Sequence, residues 1–135
     1  MSKKQLQKDI RAFTEFVITE GSLNPKHLLA VAYDLIQLYK LRGARCGISD
    51  LKASIMECYS FRDSTSRENA RSGLLWSEVY HGRAELGDSA LSPHIVWDDC
   101  TTFFESISPS GYYFGSLEGD DACIGWFQYT KEVAQ

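Results

Sequence analysis

Apolar residues recur at helical intervals through most of the chain. Within residues 3–19 they form one stripe: Leu6, Ile10, Phe13 and Val17. Since residues three and four apart share a helix face, this stripe predicts a helix that ends before Gly21. Asn24 and Pro25 suit the start of a second helix, because Asn caps helices and Pro fits the first helical position. Gly43 would stop this second helix, and the short link predicts an antiparallel helical hairpin.

Three further helices follow from similar signals. Residues 49–59 carry an apolar face behind a pair of capping residues, Ser49 and Asp50. The capping-box pattern Thr65 to Glu68 predicts a helix that continues to about residue 82, with Gly73 inside it. After a predicted loop over 83–92, Ser92 and Pro93 repeat the cap-and-proline start. The spacing of the next apolar residues predicts a helix to 107: Val96, Cys100, Phe103 and Ile107.

The period changes from helical to alternating after the break at Ser108-Pro109-Ser110-Gly111. The stretch 112–130 then reads as two strands joined by a turn at Gly119-Asp120-Asp121, which predicts a β-hairpin. Two-stranded hairpins are marginal alone and their free edges recruit other strands. We therefore expect a third strand from residues 94–97, from a second copy or from a target. Gly115 and Gly125 would let another backbone come near.

These elements predict an α+β fold with four or five helices packed on a small C-terminal antiparallel hairpin. At 135 residues the chain is expected to form a single domain over 1–135, helical in 3–107 and a hairpin in 112–130. Its apolar share of 44% and charged share of 24% are typical of globular proteins. With no apolar run of membrane length and no apolar leader after MSKKQLQKD, the expected location is cytoplasmic.

Charge is distributed unevenly although the net charge is only −4. Residues 98–135 hold seven Asp and Glu against one Lys, whereas residues 1–50 hold eight Lys and Arg against five acidic residues. The acidic end argues against direct nucleic-acid binding there and favours a basic protein partner. The same third is rich in rings, since nine of the seventeen aromatic residues lie between 97 and 129.

Three kinds of reactive site can be assembled from the sequence, and each has a simpler explanation. Asp98, Asp99, Glu118, Asp120 and Asp121 supply oxygens for a cation, but they lack the alternate spacing of a calcium loop. His27, His81, His94 and the four cysteines lack zinc-finger spacing. His94 and Asp98 share a helix face that excludes Cys100, and no nucleophile elbow or phosphate-binding glycine motif is present. We therefore expect no metal, no cofactor and no enzymatic activity.

The leading hypothesis is a non-enzymatic protein–protein interaction module. Carboxylates would meet the Lys and Arg residues of a partner, and two rings would anchor the contact. The predicted contact residues are Asp98, Asp99, Tyr113, Glu118, Asp120, Asp121 and Trp126. By analogy of size and charge, such a module suits a phage or mobile-element counter-defence inhibitor, of the anti-CRISPR or antirestriction type, that blocks a basic nucleic-acid-binding surface. A homodimer through the hairpin edges is a further expected association.

The alternative hypothesis is a domain that binds a small ligand or nucleotide, as a sponge or sensor. Tyr and Trp rings would stack on the ligand, and Arg67, Arg71 or Arg83 would hold its phosphate. A hydrolase or transferase of unfamiliar type is the third hypothesis. It predicts a pocket in which His94 meets an acid and a nucleophile.

Overall fold

The computed structural model describes residues 2–41, 50–87, 92–117 and 119–129. Its helices are α1 (Lys3–Arg11), α2 (Pro25–Tyr39), α3 (Leu51–Glu57), α4 (Ser64–Asn69), α5 (Leu75–Tyr80) and α6 (Pro93–Ser106). Its strands are β1 (Glu15–Thr19), β2 (Tyr59–Phe61), β3 (Ala84–Leu86), β4 (Tyr112–Leu117) and β5 (Asp120–Gln128). The segment Ala70–Leu74 contains a kink at Gly73 and joins α4 to α5, and we call α4, this segment and α5 together the broken helix. The α+β fold is confirmed, with five helices in the described part of the chain when the broken helix counts as one, and a small antiparallel sheet.

The main sheet has three antiparallel strands in the order β1-β5-β4, and β2 pairs with β3 in a separate ribbon. The predicted hairpin is confirmed, with Phe114 opposite Trp126 and Tyr113 opposite Phe127. The third strand comes from the chain itself, because β1 lies along β5 with Phe16 opposite Trp126. Residues 94–97, the other internal candidate, belong to α6.

The predicted helix over 3–19 is wrong beyond Arg11. Leu6 and Ile10 are buried as predicted, but Phe13 is 57% exposed and Val17 belongs to β1. The run Phe-Val-Ile-Thr at 16–19 consists of aromatic and β-branched residues, which suit a half-buried strand. At Gly125 a Cβ atom would lie 2.2 Å from the Phe16 carbonyl oxygen, so the absence of a side chain lets β1 approach.

Helix α2 is the centre of the core. It contacts α1, α3, α5, α6 and β1, and seven of its residues are buried: Leu28, Leu29, Ala30, Ala32, Tyr33, Ile36 and Tyr39. Its start is confirmed, since the Asn24 side chain accepts a hydrogen bond from the Lys26 N–H at 3.0 Å. The helix ends with Lys40 in a left-handed conformation, and the predicted stop at Gly43 lies outside the described residues. None of the described helices is both long and apolar enough to cross a membrane.

The helix predicted from 65 to about 82 differs from the prediction at its start and in its middle. It begins two residues earlier than predicted, because Asp63 rather than Thr65 caps it, accepting a hydrogen bond from the Ser66 N–H at 2.8 Å. It breaks at Gly73, whose φ of 116° favours glycine. The predicted loop over 83–92 contains β3, and its residues 88–91 lie outside the described part.

Three polar side chains of α2 satisfy the backbone groups at this break. In an unbroken helix the Leu75 N–H would bind the Arg71 carbonyl. Here the Leu75 and Trp76 N–H groups donate to the two Asp34 carboxylate oxygens, at 2.8 and 3.0 Å. The Arg71 carbonyl accepts instead from Tyr33 Oη at 2.9 Å and Gln37 Nε2 at 2.6 Å. Since unpaired buried backbone groups are costly, these bonds make the break tolerable.

We predict that Gly125→Ala destabilises the fold by about 3 kcal/mol, because its Cβ would meet β1 backbone atoms that cannot turn aside. Urea unfolding at equilibrium measures the change. A loss below about 1 kcal/mol would show that the β1 backbone does not pack closely on Gly125.

We predict that the free energy of unfolding depends on pH because of the Asp34 carboxyl. Burial raises its pKa from 3.8 to about 6, against the opposing effect of the two N–H donors. Because the pKa of Asp34 is raised in the folded protein, this group contributes its full stabilisation below pH 3.8. The contribution is lost as the pH rises through about 6. Relative to Asp34→Asn, the wild type should therefore lose free energy of unfolding across this interval. Parallel urea titrations at several pH values measure the difference, and a constant difference would contradict the assignment.

Candidate functional site

One face of the three-stranded sheet belongs to the core, and it holds Trp126. This side chain is fully buried, with ring contacts to Phe16, Phe104 and Phe114. Its Nε1–H donates to Ser108 Oγ at 2.9 Å. The prediction that Trp126 anchors a partner is therefore corrected, because alternation along β5 points the indole towards α6 and away from solvent.

The opposite face, which we call the outer sheet face, carries the rings of Phe127, Tyr113 and Tyr129 and the exposed carboxylate of Glu15. Its central row runs Glu15–Phe127–Tyr113 across the three strands. The Tyr113 ring contacts Phe127 at 5.7 Å and Tyr129 at 5.3 Å between centroids. Phe127 is 1% exposed, whereas Tyr113 is half-buried and Tyr129 is 39% exposed. The two tyrosines therefore present an aromatic surface beside an exposed carboxylate.

Exposed carboxylates lie near both ends of β5, because Glu15 is opposite Phe127 and Asp120 begins the strand. Cys123 is 4% exposed, and its thiol pKa is raised first by burial and then by the charges of Glu20, Asp120 and Glu15. Asp120 and Asp121 are exposed at the beginning of β5, where Asp120 Oδ1 accepts a hydrogen bond from the Ala122 N–H at 3.3 Å. This arrangement joins residues that are a hundred positions apart in the sequence.

The structure separates the other predicted contact residues from the outer sheet face. Asp98 is exposed and Asp99 half-buried on α6, whose Trp97 and Phe104 pack against the inner side of the sheet. Both acidic residues lie beyond the first turn of α6, which starts at Pro93. Glu118 falls outside the described residues. Of the predicted set, Tyr113 lies on the outer sheet face, and Asp120 and Asp121 are exposed at the start of β5.

Sequence reasoning missed Glu15, Glu20 and Tyr129 as members of the outer sheet face. The first two were assigned to a helix or its end, although they flank the β-forming run at 16–19. A strand in that run would have placed Glu15 on the same face as Val17, by simple alternation. Their pairing with β5 could not be read from spacing, since it joins the two ends of the chain.

The edges of the sheet are not equivalent. The β5 side of the hairpin is covered by β1. On β4, the backbone N–H of Phe114 donates to Glu105 Oε2 at 2.7 Å, and the backbone carbonyl of Ser116 accepts from Tyr113 Oη at 3.2 Å. Capped groups of this kind discourage strand addition. The homodimer through hairpin edges stays a prediction, with β4 the only hairpin edge that β1 does not cover.

The arginines of the alternative hypothesis divide between two environments. Arg67 and Arg71 line one cleft together with Lys52. Arg83 instead forms a two-point ion pair with Glu78, at 2.9 and 2.7 Å, and Glu78 is 2% exposed. The hydrogen bonds from Arg83 lower the pKa of this carboxyl despite its burial. Arg83 is thus committed to the fold.

The residues proposed for other chemistry do not come together. His94 is exposed at the start of α6, whereas Cys100 is fully buried on the core side of that helix. Within the described ranges, no three side chains of His, Cys, Asp or Glu are grouped as metal ligands would be.

No protein-family model matches the chain, and searches of curated proteins and of solved structures also return no significant match.

We predict that Trp126 supports the fold and not a contact surface. Trp126→Ala should lower the free energy of unfolding by about 3–5 kcal/mol, since it removes a buried ring. Tyr113→Ala should cost about 1 kcal/mol, because this ring is only half-buried. Thermal and urea unfolding measure both. A mild effect of Trp126→Ala would place the indole outside the core.

Proposed function

We propose that the protein is a non-enzymatic interaction module whose outer sheet face binds a basic surface of a protein partner. The observation that carries this proposal is the row Glu15–Phe127–Tyr113 with Tyr129 beside it, and two further carboxylates, Glu20 and Asp120, farther along the sheet towards the start of β5. Tyrosine rings next to carboxylates combine apolar contact area with electrostatic selectivity for cations.

The two tyrosines are suited to an anchoring role. Each ring has few rotatable bonds and is partly held in place, Tyr113 by Phe127 on one side and by Tyr129 on the other. Burial of such pre-ordered rings costs less side-chain entropy than burial of long flexible side chains. The ring pair would therefore supply the centre of the contact, with acidic residues at its rim.

The carboxylates would act mainly on the rate and the selectivity of association. Rim charges speed the encounter with an oppositely charged surface, and this effect weakens as salt increases. A surface rich in Lys and Arg that otherwise holds phosphates fits this charge pattern. By occupying that surface the module would block nucleic-acid binding by its partner. A counter-defence role of the anti-CRISPR or antirestriction type stays a prediction based on size and charge.

We predict that the double charge reversal, Asp120→Lys with Asp121→Lys, abolishes binding of a specific protein partner. Immobilised wild type and variants would be incubated with bacterial lysate, and retained proteins would be identified by mass spectrometry. The matched control is Asp98→Lys with Asp99→Lys, which makes the same charge change on α6. A partner retained by the wild type and the control, but lost by the double reversal, is expected.

Association kinetics with the purified partner then test the mechanism. The association rate of the wild type should fall as salt increases, whereas the double reversal should associate slowly at all salt concentrations. Identical capture by all three proteins, or association that is independent of salt, would contradict binding through the outer sheet face.

A further inference from the structure

A cleft between α3, β2 and the broken helix concentrates positive charge. Its volume is about 580 Å³, within the range of small-ligand sites. Three cationic side chains line it, Lys52, Arg67 and Arg71, against one carboxylate, Glu57. Since the whole chain carries a net charge of −4, the cleft reverses the general charge of the protein.

The cations are held in place by neighbouring side chains. The Arg67 guanidinium lies over the Phe61 ring, 5.5 Å from its centroid. Lys52 Nζ donates to Gln37 Oε1 at 3.0 Å, and Gln37 in turn binds the Arg71 carbonyl. The hydrogen bonds that stabilise the break at Gly73 thus also connect Lys52 to the segment that carries Arg71.

Charge balance within the cleft is incomplete. Arg71 pairs with Glu68 at 3.0 Å, but both side chains are more than half exposed, so this pair is readily exchanged for another anion. Neither Lys52 nor Arg67 forms an ion pair with a carboxylate in the described part of the chain. Arg67 and Arg71 are four residues apart, a spacing at which like charges repel on a helix. An anionic ligand would relieve this repulsion.

The other wall of the cleft is apolar and aromatic. Met56 and Phe61 are half-buried there, with Tyr33 and Tyr59 behind them. The hydroxyl groups of both tyrosines are occupied, because Tyr33 donates to the Arg71 carbonyl and Tyr59 to the Lys26 carbonyl. The cleft therefore offers apolar contact at Met56 and Phe61 next to the cations, with Arg67 stacked on Phe61.

We propose that this cleft binds a nucleotide, with Arg67, Arg71 and Lys52 holding the phosphates and Met56 and Phe61 contacting the base. Guanidinium groups bind phosphate through paired, charge-assisted hydrogen bonds, and aromatic and sulfur-containing side chains contact flat rings well. This site uses side-chain cations instead of a glycine-rich loop. It is independent of the outer sheet face, which lies on other elements.

Calorimetric titration of the full chain with ATP, adenosine and sodium phosphate tests the proposal. We expect ATP to bind more tightly than either part alone, and we expect Arg67→Gln and Arg71→Gln each to raise its Kd by about tenfold. Lys52→Met, which keeps the apolar stem, should act in the same direction. The matched control is Arg11→Gln, because Arg11 is an exposed arginine on α1. Circular dichroism would verify that each variant is folded.

Several outcomes would overturn the assignment. An unchanged Kd for ATP in folded Arg67→Gln and Arg71→Gln would show that the cleft is not the site. Phosphate that binds as tightly as ATP would remove the role of the base. If a single-stranded oligonucleotide bound more tightly than ATP at the same cations, the site would be one for nucleic acid and not for a small nucleotide. Absence of both binding heat and thermal stabilisation with ATP at millimolar concentration would refute the proposal outright.

Discussion

The hydrogen bonds between α2 and the break at Gly73 are the interaction on which most of the helical part depends. The Asp34 carboxylate accepts hydrogen bonds from two N–H groups, and Tyr33 and Gln37 both donate to one carbonyl. The backbone groups freed by the break are therefore paired again by side chains of a neighbouring helix. Were these side chains absent, the exposed backbone groups would favour either a straight helix or local unfolding. A straight helix would require Gly73 to leave its φ of 116° and would swing α5 to a different direction.

The consequences of this break reach both ends of the broken helix. On its first half, Arg67 and Arg71 face the cleft beside Lys52. On its second half, the buried carboxylate of Glu78 meets Arg83, which precedes β3. A buried acid without its cation would be strongly destabilising, so this pair holds the chain that leaves α5 towards β3, whereas Asp34 holds the start of α5. One break therefore sets the shape of the cleft and the position of the second β-ribbon.

The sequence predicted those elements whose signals are local, and it failed where a distant segment decides the conformation. The hairpin followed from alternation around Tyr113 and Phe127, and the start of α2 followed from Asn24, because caps and alternation act over a few residues. The strand β1 was missed because Phe13 and Val17 happen to continue the spacing of Leu6 and Ile10. Only its pairing with β5, across more than a hundred residues, selects the strand.

The candidate surfaces show the same division. The hairpin that carries Asp120 and Tyr113 could be predicted, but the face of Trp126 depends on where α6 packs, which alternation alone does not reveal. Likewise Arg67 and Arg71 could be paired from their helical spacing, whereas Lys52 joins them only through tertiary packing. In the sequence, Arg83 looked equivalent to the other two arginines. Its ion pair with the buried Glu78 forms only because the chain turns back at the end of α5, and spacing does not predict this turn.

The separation of charge within so small a protein limits how its two surfaces could influence each other. The acidic outer sheet face belongs to β1, β4 and β5, and the cationic cleft belongs to α3, β2 and the broken helix. Charges in solvent are screened over roughly 8–10 Å at physiological salt, so the charges of one surface would have little direct effect on the other. Coupling between them would have to be mechanical. Helix α2 is the element suited to it, because it contacts β1 and also binds the carbonyl of Arg71. If a ligand displaced Arg71, the displacement would be transmitted to α2 by the polar side chains that stabilise the break. It would then reach the sheet through the packing of α2 against β1.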